Sequence, residues 1–121
     1  MSAPAGIGAM GLVYEVNLEI DAAIAADYRA WLEDHVAQIL ALPGFTGARI
    51  LEVLEPQPPA AVVALCVQYT LRGRGDFDAY LREHAPRMRA EGVARFGDRF
   101  RAVRRVLIGS PAHGPHDRDM R

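Results

Sequence analysis

Between Leu12 and Ile20 apolar and polar side chains alternate: Tyr14, Val16, Leu18 and Ile20 fall on one side of an extended chain, and Glu15, Asn17 and Glu19 on the other. A period of two is that of a strand with one buried face. The period then changes. After Asp21, which is placed to cap a helix, Tyr28, Trp31, Leu32, His35 and Ile39 recur at helical spacing until Pro43-Gly44 stops the pattern, predicting a helix from about Ala22 to Leu42. Phe45 to Leu54 and Ala61 to Leu71 read as two strands of a hairpin, joined by the Pro-rich turn EPQPPA. Asp76 is then the expected N-cap of a second helix carrying Phe77, Tyr80, Leu81 and His84 on its inner stripe. Pro86 cannot donate to the carbonyl of Arg82, so a kink or a restart is predicted there. Met88, Val93 and Phe96 continue a buried face, Gly97 ends the helix, and Arg101 to Ile108 forms the last strand.

One helical phrase occurs twice within this βαββαβ order. Asp27 to Val36 reads DYRAWLEDHV, and DFDAYLREHA follows 49 positions later from Asp76 to Ala85, with acid, aromatic, Ala, aromatic, Leu and His in register. Two copies are too few for a solenoid, which needs three or more to bury a core. They fit two βαβ-like halves with right-handed crossovers, predicting a ferredoxin-like α+β fold with a four-stranded antiparallel sheet and helices on one face. The other face should carry Glu15, Asn17, Glu19, Ala64, Cys66, Gln68 and Thr70. A monomer would solvate it. A homodimer would pack it against its two-fold mate, with carboxylates such as Glu15 meeting Arg49 or Arg105 across the interface.

Length and composition narrow the function classes. A chain of 121 residues has room for one domain, expected over residues 12–109, with residues 1–11 and 110–121 too rich in Ala, Gly and Pro to join a core and therefore expected to be disordered. Translation starting at Met10 rather than Met1 would remove most of the lead. Charges of both signs are mixed to a net −1, which gives no field for nucleic acid, and all fourteen basic residues are Arg. No apolar run reaches the length of a membrane span. The single Cys66 cannot form an internal disulfide and lies in an apolar strand, so a cytoplasmic protein is expected.

Three stretches, YRAWLEDHVAQILALPGF, VALCVQYTL and LREHAPRMRAEGVARFGDRFRAVRRVLI, resemble the bacterial family designated domain of unknown function 4286, within the dimeric α+β barrel superfamily. The likeness runs from about Leu12 to Ile108. Its most specific parts are the aromatic pair leading to His35, the strand ending Val67-Gln68-Tyr69, and Glu83-His84-Ala85-Pro86 leading into Arg95-Phe96. The resemblance implies a homodimer whose two sheets close a barrel, with a cleft between sheet and helices in each subunit that relatives use for small molecules. Other branches of the superfamily include cofactor-free monooxygenases, lactone isomerases and haem enzymes. Relatives carry a further His near the position of Gly92, which argues here against a His cluster. The haem-degrading branch uses an Asn, a Trp and a His, and Asn17 and His84 would fill two of those places. Tyr69 stands where the Trp would be, however, and Asn17 has the wrong strand parity, so haem binding ranks last among the readings and no cofactor is expected.

His35 and His84 are the imidazoles inside predicted structure and the candidate catalytic groups, since a His titrating near pH 6.5 suits proton transfer. Their repetition also fits a packing role, which would leave a non-catalytic dimerisation or ligand-sensing module. Tyr14, Tyr28, Trp31, Tyr69 and Tyr80, with Phe77, should converge between helices and sheet. Tyr14 and Tyr69 with Trp31 and His35 above them would line a cavity for a flat apolar or aromatic metabolite. Arg95, Arg99, Arg101, Arg104 and Arg105 lack interleaved aromatics and are expected to pair with carboxylates. His113 and His116 have metal-ligand spacing but no third ligand nearby, so no metal is expected.

Overall fold

The computed structural model of the chain describes residues 11–110 and Pro115. The expected terminal disorder, the alternative start at Met10, and the His113/His116 pair lie outside the described residues. Strand β1 (Leu12–Asp21) leads through a short 3-10 turn (Ala22–Ile24) into helix α1 (Ala25–Leu40). Strands β2 (Phe45–Glu52) and β3 (Val62–Leu71) follow as a hairpin. Two consecutive helices, α2 (Arg74–Glu83) and α3 (Ala85–Phe96), then lead to β4 (Phe100–Ile108). The four strands form one antiparallel sheet in the order β2-β3-β1-β4. The fold is ferredoxin-like α+β, with the second helical stretch divided at Pro86 into α2 and α3.

Alternation along the strands puts Tyr14, Leu18, Ile20, Leu65, Val67, Tyr69 and Leu71 on the helix-covered face, where all are buried. Tyr28, Leu32, Val36 and Ile39 form the buried stripe of α1 that closes over them. Near the start of β2 a bulge between Phe45 and Gly47 changes the parity, so that both Phe45 and Ala48 pack on the core. One extra residue in a strand does this, and strict alternation cannot foresee it.

Several local expectations are corrected. Asp21 makes no side-chain cap: its carboxylate accepts from Arg99 Nε at 2.6 Å, which ties the end of β1 to the turn before β4. Asp76 is not an N-cap either, because the helix already begins at Arg74 after an extended Gly73. Instead Asp76 lies under the turn that follows α1, where a Cβ on Gly44 would come within 2.4 Å of the Asp76 Cβ. Gly44 also has φ +90°, so both space and backbone conformation require glycine there. At Pro86 the expected kink or restart is a restart: His84 leaves helical geometry, and Pro86 occupies the first turn of α3, where a missing N–H removes no hydrogen bond. His84 and Val93 are not on a buried face: His84 is half-buried, and Val93 is 58% exposed.

The opposite face of the sheet is uncovered and carries a hydrogen-bonded row across all four strands. Arg49 donates to Gln68 at 3.4 Å, Gln68 donates to Glu15 at 3.1 Å, and Arg105 donates to Glu15 at 2.7 Å. Asn17 donates a third bond to Glu15 at 2.9 Å. Glu15 is only 4% exposed even within one chain. The donors, Asn17 foremost and then Arg105 and Gln68, outweigh burial and bring its carboxyl down to about 2. It thus has an Arg partner, Arg105, within its own chain. Burial, with the Glu15 charge nearby, pushes the Cys66 thiol up and keeps it in its unreactive protonated form.

Candidate functional site

The six aromatics expected to converge form two clusters. Tyr14 packs against Tyr69 (5.7 Å between centroids), Phe77 (5.0 Å) and Tyr80 (5.8 Å), and Phe45 joins that group against Tyr80 at 5.1 Å. Tyr28 instead packs against Trp31 (5.4 Å), Phe96 (4.9 Å) and Phe100 (5.0 Å). Between the clusters lies a cavity of about 290 Å³, with Val16, Leu18 and Val67 of the central strands as its floor. Tyr14, Tyr28, Trp31, His35, Tyr69 and Tyr80 all line it. It opens between α3 and the edge strand β4, at Arg89, Val93 and Arg104. Val16 and Ala102 face the helices yet remain half-buried because this space stands over them.

Helical spacing places Trp31 and His35 one turn apart on α1, beside its fully buried stripe. Gly92 of α3 gives Trp31 its room: a Cβ there would lie 3.1 Å from Trp31 Cη2 and 3.3 Å from Phe100 Cζ. The His35 ring stacks on the indole at 4.5 Å and 22°. Its Nδ1 is shielded from water, has no hydrogen-bond partner among the described residues, and lies 3.9 Å from Glu91 Oε1. Burial moves the imidazole below its ordinary value, and the Glu91 carboxylate opposes that shift. His35 is thus neutral near pH 7, able to accept a proton, with a carboxylate on the side where the resulting charge would need support.

His84 is not part of this arrangement. It lies at the α2–α3 junction, outside the cavity lining, and its Nδ1 accepts from Arg87 at 3.0 Å. The repeated His of the duplicated phrase therefore marks two different environments. Asn17 faces the open side of the sheet, so the Asn17, Tyr69 and His84 positions do not meet around one ligand.

Three residues were not singled out as site residues from the sequence: Arg89 and Arg104, which line the cavity, and Glu91, which lies beside His35. Arg89 donates to the Tyr14 hydroxyl at 3.2 Å, linking α3 to β1. Arg104 carried a legible signal, because Phe100, Ala102, Arg104 and Val106 share the helix-facing parity of β4, opposite Ile20, Leu18, Val16 and Tyr14. Arg101 and Arg105 have the other parity and pair as expected, with Glu19 and Glu15. Glu91 gave no such sign, since its proximity to His35 depends on how α3 crosses α1. Burial raises the hydroxyls of Tyr28 and Tyr69, and takes Tyr80 up to about 12 with the help of neighbouring Tyr14. These three line the cavity as neutral phenols.

The model of the family described as domain of unknown function (DUF4286) matches residues 11–109. The chain belongs to this family. No curated protein matches it in sequence. Among solved structures, a protein of unknown function, NE2512, from Nitrosomonas europaea has a TM-score of 0.60 at 14% identity, covering 89% of this chain and 97% of its own. A conserved protein from Methanosarcina mazei Go1 has a TM-score of 0.59 at 8% identity, covering 88% and 97%. A dimeric ferredoxin-like protein from an uncultured marine organism reaches 0.54 at 10% identity, covering 86% and 99%. At these identities the likeness is one of fold. No helix among the described residues is long and apolar enough to cross a membrane.

Proposed function

We propose that this DUF4286 protein is a homodimer, each subunit of which binds a small, flat, apolar or aromatic metabolite between helices and sheet, with His35 as a base for proton transfer. The observation that carries the binding reading is the cavity of about 290 Å³ lined by Tyr14, Trp31, His35 and Tyr69. Protein interiors are otherwise close-packed, and a space of roughly 300 Å³ with apolar walls and few polar groups is of the size used for small ligands. Neutral His35 beside Glu91 supports the chemical part of the reading.

The open sheet face supports self-association. Glu15 already receives three hydrogen bonds within its own chain, so covering it leaves no unsatisfied charge. Around that row Val103 is 67% exposed, and Leu51 and Leu107 are also exposed. A fold relative described as a dimeric ferredoxin-like protein supports the same reading.

Trp31 is the single Trp of the chain, so one indole N–H resonance reports directly on the cavity. Titration with 2-naphthylmethanol, a neutral two-ring probe, should shift it saturably, and an unmoved resonance at millimolar probe sinks the binding reading. Chemistry is tested separately with 2-tetralone, a flat carbon acid. The protein should accelerate exchange of its α-protons into D2O, and His35→Gln should remove that acceleration while retaining binding. Binding without exchange leaves a non-catalytic ligand-sensing module.

A further inference from the structure

We infer that the natural ligand is an acid: a flat apolar body inside the cavity, with a carboxylate or equivalent anionic group held at the mouth between Arg89 and Arg104. This rests on the reading of the cavity as a ligand site and specifies its chemical class. The placement of the two cations is the starting point. They come from different elements, Arg89 from α3 and Arg104 from β4, and both line the same cavity.

Most other Arg side chains of the described residues are committed elsewhere. Arg29, Arg72, Arg74, Arg82, Arg99, Arg101 and Arg105 each have a carboxylate within 4.0 Å. Among the described residues Arg89 and Arg104 have none at that distance, and the recorded partner of Arg89 is the Tyr14 hydroxyl. Arg104 stands on the core-facing row of β4 between Ala102 and Val106, directly across from Val16. An unpaired guanidinium beside an apolar floor has no packing advantage over Leu or Val, but its planar fork matches a carboxylate.

The polar atoms around it suit the same group. The Tyr14 oxygen accepts from Arg89, so its own O–H is free to donate to a ligand oxygen. The positive charge of Arg104 reaches Tyr28, Tyr69 and Tyr80, and that of Arg89 reaches Tyr80, opposing in each case the effect of burial. Both cations therefore act on the interior of the cavity as well as on solvent. The Glu91 carboxylate is outside the cavity lining and lies beside His35. An acid seated against the two Arg residues would place its ring between Trp31 and Tyr69, with His35 along its length.

The test compares 2-naphthoate with 2-naphthylmethanol, matched in shape and differing in charge, by the Trp31 indole resonance. Charge-assisted hydrogen bonds at the mouth predict about tenfold tighter binding of the naphthoate. The double variant Arg89→Gln/Arg104→Gln should bring the two probes to within about threefold of each other, with the loss falling mainly on the naphthoate. Arg95→Gln, which removes an exposed cation of the same helix outside the cavity, should keep the preference. Equal affinities in the natural protein, a preference that survives the double variant, or one lost equally in Arg95→Gln would each overturn the inference while the cavity reading stands. If neither probe binds, both readings fall together.

Discussion

The Trp31 indole and the His35 imidazole stack with their centroids 4.5 Å apart and their planes 22° from parallel, and Glu91 lies 3.9 Å beyond the His35 Nδ1. Trp31 is thereby a built-in reporter of the His35 charge. Burial favours the neutral ring, so its titration should fall below pH 6.5 in the folded protein. Intrinsic fluorescence should change with a midpoint on the acid side of that value, and the change should vanish in His35→Gln. A midpoint above pH 6.5 would show that Glu91 outweighs burial. Because the folded state holds the proton less well than the unfolded chain, this group also contributes a loss of stability as pH falls below about 6.5.

Glu15 provides a second and more acidic dependence. Its carboxyl is held at about 2 against an ordinary 4.5, so its contribution is present above 4.5 and is lost as pH falls toward 2. The size is on the order of 2–3 kcal/mol. Melting temperature measured from pH 5 to pH 2 should drop more steeply for the natural protein than for Glu15→Gln, with the two curves converging at the acid end. Parallel curves would falsify the assignment.

Gly92 sets how deeply Trp31 sits. In Gly92→Ala the new Cβ is 3.1 Å from Trp31 Cη2, which forces the indole a few tenths of an ångström toward the cavity. Helix propensity gains about 1 kcal/mol and the crowding costs a similar amount, so stability should stay within about 1 kcal/mol of the natural protein. Affinity for 2-naphthylmethanol should nonetheless fall several-fold, measured by the same indole resonance. Unchanged affinity would mean that Trp31 does not bound the ligand space.

Val103 tests the assembly. It points from edge strand β4 to the open face and is 67% exposed in one chain, so Val103→Glu should leave the subunit folded. Sedimentation analysis should then give the mass of one chain where the natural protein gives two. An unaltered dimer would place the interface elsewhere, and a natural monomer would remove the pairing.

Alternation and helical spacing alone specified the strand faces and the α1 stripe of Tyr28, Leu32 and Ile39, because each depends on the local period of the backbone. The duplicated phrase specified the topology for the same reason: the two copies bury equivalent aromatics. Spacing could not specify what meets across elements. Whether His84 or His35 joins the cavity depended on the restart at Pro86, which turns His84 toward Arg87 and carries Glu91 to His35. Whether Glu15 finds its cation in its own chain depended on strand order, which sets β4 beside β1 and brings Arg105 to it. Two βαβ halves of nearly the same phrase therefore give one cavity with one histidine, since local periodicity is shared by the copies and the crossing of helix over sheet is not.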